Sequence, residues 1–98
     1  MKEYQVNIRP TAEKDIERRY RQIAEESLQN ALNWYCSITE AVLTLSTLAE
    51  RCALAPEDEE VNLGIRHLIM GDYRVLYYIS NNCVEVLHVR HSAMKRKL

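Results

Sequence analysis

The chain has 98 residues but only two glycines and two prolines, so it lacks the composition of a linker or a disordered tail. It also lacks an apolar run long enough to span a bilayer, and Met1-Lys2-Glu3-Tyr4-Gln5 has no signal-peptide apolar core. One ordered domain over residues 1–98 is therefore expected, in the cytoplasm and without a membrane partner. The three cysteines, Cys36, Cys52 and Cys83, are odd in number. They form no Cys-x-x-Cys pair and no zinc set with a neighbouring histidine, so reduced, packed thiols are expected and no metal. Glycine-rich phosphate loops, a Ser/His/Asp order and paired carboxylates are missing too, and no cofactor is expected.

Charge is balanced, at a formal −1, but it is segregated along the chain. Glu57-Asp58-Glu59-Glu60 forms an acidic block that reads first as a solvated face. Arg18-Arg19-x-Arg21 and the tail Arg90-His91-x-x-x-Lys95-Arg96-Lys97 are basic. Near neutrality argues against a protein that relies on phosphate neutralisation for nucleic-acid affinity.

Tyr4-Gln5-Val6-Asn7-Ile8-Arg9 alternates apolar and polar residues, the period of a half-buried strand, and Pro10 ends it. Thr11 stands where an N-cap is expected, with Glu13 and Asp15 in the first turn of a helix. Its apolar face runs through Ala12, Ile16, Tyr20, Ile23, Ala24 and Leu28. A second face runs through Ala31, Trp34, Tyr35, Ile38, Ala41, Val42, Leu45, Leu48 and Ala49. One helix carrying both, about 40 residues at ~1.5 Å each, would be ~60 Å long and could not bury its face on a domain this small. A break is required near Glu25-Glu26-Ser27, where Ser27 can cap the second helix. Ala55 to Glu60 is expected as a loop, because Pro56 cannot continue a helix. Three strands then follow, over 61–70, 73–79 and 83–91, as a meander. The order β-α-α-β-β-β defines an α+β fold in which a helical hairpin packs on an antiparallel sheet.

The turn Gly71-Asp72 opens the ordered motif Gly-x-Tyr73-Arg74-Val75-Leu76-Tyr77, followed by Val84-x-Val86-Leu87-x-Val89-x-His91. This strand-turn-strand signature resembles that of the RelE/ParE superfamily of bacterial toxins, and the resemblance spans nearly the whole chain. It implies a toxin-antitoxin hetero-oligomer with a cognate antitoxin. The antitoxin is expected to lay an acidic amphipathic segment across the groove between hairpin and sheet, using Trp34, Tyr35 and Arg74.

Arg74 interrupts an apolar strand and wants an anionic partner. In the RNA-cleaving branch the motif arginine steadies phosphate in the active site, while a structural reading pairs Arg74 with a carboxylate of the acidic loop. Arg90 and His91 fall on opposite faces of the last strand, and a histidine could act as general acid or base in RNA cleavage. His67 and His88 read as packed or hydrogen-bonded strand residues. The nuclease pattern places a further arginine beyond this strand, where Met94 stands here, and then a tyrosine or histidine, where no tyrosine follows. The sequence therefore looks more like the ParE branch, whose toxins bind DNA gyrase through a presented surface. Arg74, Arg90, His91, Lys95, Arg96 and Lys97 would then contact the target, and removal of the chain after Val89 should spare the fold. The alternatives are a ribosome-dependent mRNA endoribonuclease using Arg74, Arg90 and His91, and a non-toxic binding module on the same fold.

Overall fold

The computed structural model describes residues 3–92. Strand β1 (Gln5–Ile8) leads directly into helix α1 (Pro10–Glu26). Proline is the first helical residue: its fixed φ suits the helix start, and its missing N–H is one the helix would leave unpaired there. Arg9 thus occupies the N-cap position expected for Thr11. The Thr11 hydroxyl instead donates to the Leu87 carbonyl at 2.6 Å. That carbonyl lies at a register shift between the last two strands, where Leu76 faces His88 but Tyr77 faces Val86. The extra residue disturbs the ladder, and Thr11 satisfies the carbonyl it exposes.

The break between the helices falls where the length argument requires it. Ser27 alone is extended, with φ −157°, and helix α2 (Leu28–Leu48) begins at the next residue. Its Oγ accepts from the Asn30 amide at 3.1 Å, satisfying one otherwise open donor of α2. A 3-10 turn at Ala49–Arg51 follows, and then the short helix α3 (Asp58–Val61). Part of the segment expected as strand is thus a helix and turn. The Asp58 carboxylate causes this by accepting the amides of Leu63, Gly64 and Ile65 at 2.8, 2.8 and 2.9 Å. Asn62 and Gly64 take positive φ between them.

Strands β2 (Arg66–Met70), β3 (Tyr73–Ser80) and β4 (Cys83–His91) form the expected antiparallel meander. Gly71 makes its first turn at φ 57° and Asn81 its second, also at 57°. β1 pairs in parallel with β4, so the four-stranded sheet is mixed, in the order β1-β4-β3-β2. Alternation along the strands divides the side chains between two faces. Val75, Tyr77, Val84, Val86 and Val89 pack against Ala12 and Ile16 of α1 and Ile38, Val42 and Leu45 of α2. On the reverse face Leu76 packs with Ala55 and Ile65, so the crossing segment covers part of that side. Tyr77 ties the layers together, donating its hydroxyl to the Ala49 carbonyl at 2.5 Å. Of the cysteines, Cys52 and Cys83 are half-buried, but Cys36 is exposed on α2, contrary to the packed-thiol expectation. No helix among the described residues is long and apolar enough to cross a membrane.

Candidate functional site

The motif arginine lies on the face of the sheet turned away from the hairpin. Arg74 is 2% exposed, and its guanidinium holds Glu57 in a two-pronged bond, Nη1 to Oε1 at 3.0 Å and Nη2 to Oε2 at 2.6 Å. Arg90, opposite Arg74 in the ladder, brings its own guanidinium to 3.7 Å from the same carboxylate. His67 completes the cluster. Its Nδ1 lies 3.2 Å from Arg74 Nη1, and since arginine has no acceptor, Nδ1 must carry the lone pair and Nε2 the proton. Burial pushes the Glu57 carboxyl up, but the Arg74 bond, its own backbone amide and the two guanidinium charges outweigh this and hold it below its ordinary value. The acidic block is therefore not a solvated run. Glu57 and Asp58 are buried while Glu59 and Glu60 face out, because the turn before β2 is built on the first two carboxylates.

Arg90 and His91 occupy opposite faces, as the strand period requires. His91 lies on the hairpin side, its ring 5.4 Å from that of Tyr73. Tyr73 also meets Trp34 edge-on at 5.4 Å and accepts a hydrogen bond from Arg19 Nε. A small cavity of about 250 Å³ here is lined by Arg18, Arg19, Tyr73 and His91, which brings the basic segment of α1 beside the end of β4. Lys95, Arg96, Lys97 and Met94 lie outside the described residues. His88 donates to Asp15 at 2.9 Å, and the Val89 amide reaches the same oxygen at 3.1 Å, so Asp15 locks α1 to β4. No group of three or more His, Cys, Asp or Glu that could hold a metal occurs among the described residues.

The residues expected to receive an antitoxin are not gathered on one surface. Arg74 is buried on the far face, and Trp34 packs against the core, its indole N–H lacking a partner among the described residues. Tyr35 is 47% exposed and lines a different feature, an open groove of about 640 Å³. Ile8 of β1, Ile16 and Tyr20 of α1, and Leu32, Tyr35 and Val42 of α2 form its apolar walls, with Glu13 and Glu17 beside them. A basic surface around Arg74 calling for an acidic partner segment is thus not what this groove offers. Leu32 and Ile8 were missed as site residues, although Leu28, Leu32 and Tyr35 recur at helical spacing as a second apolar stripe on α2. All three are exposed.

Residues 6–96 match the family model described as ParE toxin of type II toxin-antitoxin system, parDE. Among solved structures, the chain is similar to one of a chromosomal ParDE toxin-antitoxin system from P. aeruginosa. The TM-score is 0.75 and the identity 18%, over 90% of this chain and 95% of that one. It is also similar to a chain of the toxin-antitoxin complex RelBE2 from Mycobacterium tuberculosis. There the TM-score is 0.65 and the identity 24%, over 91% of this chain and 98% of the other. No match emerged among the curated proteins.

Proposed function

The chain belongs to the ParE toxin family of type II toxin-antitoxin systems, and from that premise we propose that it arrests growth by binding DNA gyrase and is neutralised by a cognate antitoxin. The observation that carries the gyrase reading is the state of Arg74. Its guanidinium is buried and spent on Glu57, while Arg90 shares that carboxylate and His91 stands on the other face. An RNA-cleaving centre needs phosphate binding, activation of the 2′-hydroxyl and protonation of the leaving oxygen within one accessible site. These side chains do not converge on such a site.

A presented surface needs no such convergence. In this reading His91, with Lys95, Arg96 and Lys97 beyond it, contacts the target, Arg18 and Arg19 extend the basic surface around His91, and Arg90, largely buried against Glu57, reaches the target only at the edge of the far face. Arg74 acts as a positioning residue, fixing β3 and the turn before β2 beneath Arg90. Removal of the chain after Val89 is not a clean test, because Arg90 joins the buried cluster and the Ser92 amide bonds the Asp72 carbonyl at 2.7 Å. Truncation after Ser92 retains both. It should abolish toxicity while sparing the fold.

The deciding experiment supplies the purified protein to a gyrase supercoiling assay and, separately, to programmed ribosomes. Inhibited supercoiling with intact mRNA is expected. Site-specific mRNA cuts with untouched supercoiling would replace this reading by the endoribonuclease one. Normal growth on expression, with neither effect, would leave a binding module on the toxin fold.

A further inference from the structure

The cavity of about 250 Å³ between α1 and the end of β4 gathers hydrogen-bond donors that meet no acceptor. Tyr73 stands opposite His91 in the ladder and is held edge-on by the rings of Trp34 and His91, with the Arg19 guanidinium 5.7 Å from the centre of its own ring. Its hydroxyl accepts from Arg19 Nε, so the hydroxyl proton is left to donate elsewhere. Arg19 Nη1 donates to the Gln22 side-chain oxygen at 3.2 Å, which leaves Arg19 Nη2 and the Gln22 amide nitrogen as further donors without an acceptor among the described residues. Asp15, the carboxylate in the wall, does not serve them. Its Oδ2 is taken by His88 and the Val89 amide, and its Oδ1 faces Arg18 at 3.7 Å.

We propose that this cavity binds a single phosphate group, one phosphodiester of the DNA duplex that the target enzyme holds. The proposal rests on the gyrase reading above and adds DNA to the surface that the toxin contacts. A carboxylate is planar and presents two oxygens, so one guanidinium edge suffices to pair it, as Arg74 pairs Glu57. Here the donors come singly from separate side chains, Arg18, Arg19, Gln22 and Tyr73, around a common space. That arrangement suits the tetrahedral spread of phosphate oxygens, and arginine, glutamine and tyrosine are all side chains that contact DNA phosphates. The near-neutral chain lacks the run of cations needed to track a backbone, but a single site needs none. Such a contact positions the protein on the duplex and reads no sequence.

The test titrates the isotope-labelled full chain, and the chain ending at Ser92, with a short DNA duplex while NMR follows the backbone amides. The amides of Arg19, Gln22, Tyr73 and His91 should shift together in both proteins. In the shortened chain, which lacks Lys95, Arg96 and Lys97, the logarithm of affinity should fall against that of salt concentration with a slope of about −0.9, the value for one phosphate. With melting temperatures confirming that each variant folds, Arg19→Gln should weaken binding roughly tenfold and Tyr73→Phe roughly threefold. Arg21→Gln removes the same charge from the same helix but outside the cavity, where Arg21 pairs with Glu17 at 2.5 Å, and should weaken binding by less than roughly threefold. Equal losses from Arg19→Gln and Arg21→Gln would reduce the effect to overall charge and overturn the site, as would a shortened chain whose cavity amides do not move. Inorganic phosphate bound as tightly as the duplex, or an RNA duplex bound roughly tenfold more tightly, would overturn the assignment to DNA. Supercoiling inhibited by a protein that shows no such binding overturns the site and leaves the gyrase reading standing, whereas binding at the cavity with supercoiling untouched upholds the site and overturns that reading.

Discussion

Replacing Arg74 by alanine tests the central electrostatic claim. The substitution leaves Glu57, whose side chain has no exposure, with its own backbone amide and the more distant Arg90 guanidinium at 3.7 Å. Breaking a buried ion pair by removing one partner costs about 3–5 kcal/mol, and the remaining arginine places Arg74→Ala near the lower end. In a domain of this size about 3 kcal/mol corresponds to a fall in melting temperature of roughly 12 °C or more. Glu57→Ala should cost more, since it removes the carboxylate that both Arg74 and Arg90 approach across β3 and β4. The double variant Arg74→Met with Glu57→Leu should recover most of the loss. It removes the two most deeply buried charges of the cluster, though not that of Arg90, together with Arg74 Nε, a buried donor with no partner among the described residues. Urea titration of the parent protein, Arg74→Met, Glu57→Leu and the double variant gives the coupling energy. An Arg74→Ala loss under about 1 kcal/mol, or a double variant as unstable as the two single losses added together, would refute the buried-pair account. The same double variant separates scaffold from contact: folded and still toxic, it confirms Arg74 as a positioning residue, whereas folded and harmless it would place Arg74 at the target.

Acid should destabilise the protein through two carboxylates. The Ile65 amide, opposed by burial and joined by the Leu63 and Gly64 amides, holds Asp58 below its ordinary 3.8, and Glu57 is held below its ordinary 4.5. The unfolded chain therefore takes up protons first, so stability is complete above those values and falls as pH drops through them. Urea midpoints between pH 6 and pH 3 check this, and a slope unchanged in Asp58→Asn would refute the share assigned to Asp58. Tyr77→Phe should cost about 1–2 kcal/mol by chemical denaturation, because the Ala49 carbonyl loses a buried donor. Ser27→Ala should cost about 1 kcal/mol through the lost cap on α2, with fraying of its first turn visible by amide exchange.

The elements that were legible in the sequence are those set by periodicity and length. The meander followed from alternating apolar residues between Gly71-Asp72 and Ser80-Asn81-Asn82, and the hairpin break from the impossibility of burying one long helix. The failures share a physical cause, which is a side chain bonding to groups outside its own element. Thr11 reads as a cap locally, yet its hydroxyl answers a carbonyl at a register shift that only the folded sheet creates. Glu57 and Asp58 read as a solvated run because adjacent acids repel. That repulsion is offset by two guanidinium groups for one and three backbone amides for the other. The pairing of Arg74 with the acidic loop was visible as one of two alternatives, since a mid-strand arginine demands an anion and the loop supplies four. The groove was obscured because Leu32 and Ile8 look like ordinary core residues until the packing leaves them half uncovered.

The two faces of the sheet consequently carry different tasks. On the far face, Glu57 collects Arg74 and Arg90, and that charge cluster pins the turn before β2 to the middle of the sheet. On the hairpin side, the strand β1 and the exposed stripe Leu28, Leu32 and Tyr35 leave apolar surface uncovered and, among the described residues, backbone donors without a backbone partner. Occupation of the groove need not reach the end of β4, because β1 pairs with β4 through Cys83 to Val86 and the last described residues lie farther along the strand. An antitoxin confined to the groove would therefore bind without covering Arg90 and His91. On the proposed gyrase reading, neutralisation would need an antitoxin that also extends over α1 toward Arg18 and Arg19. A shortened antitoxin carrying only the groove segment should bind the toxin yet fail to restore gyrase activity, and full restoration by that segment would show that the target surface overlaps the groove.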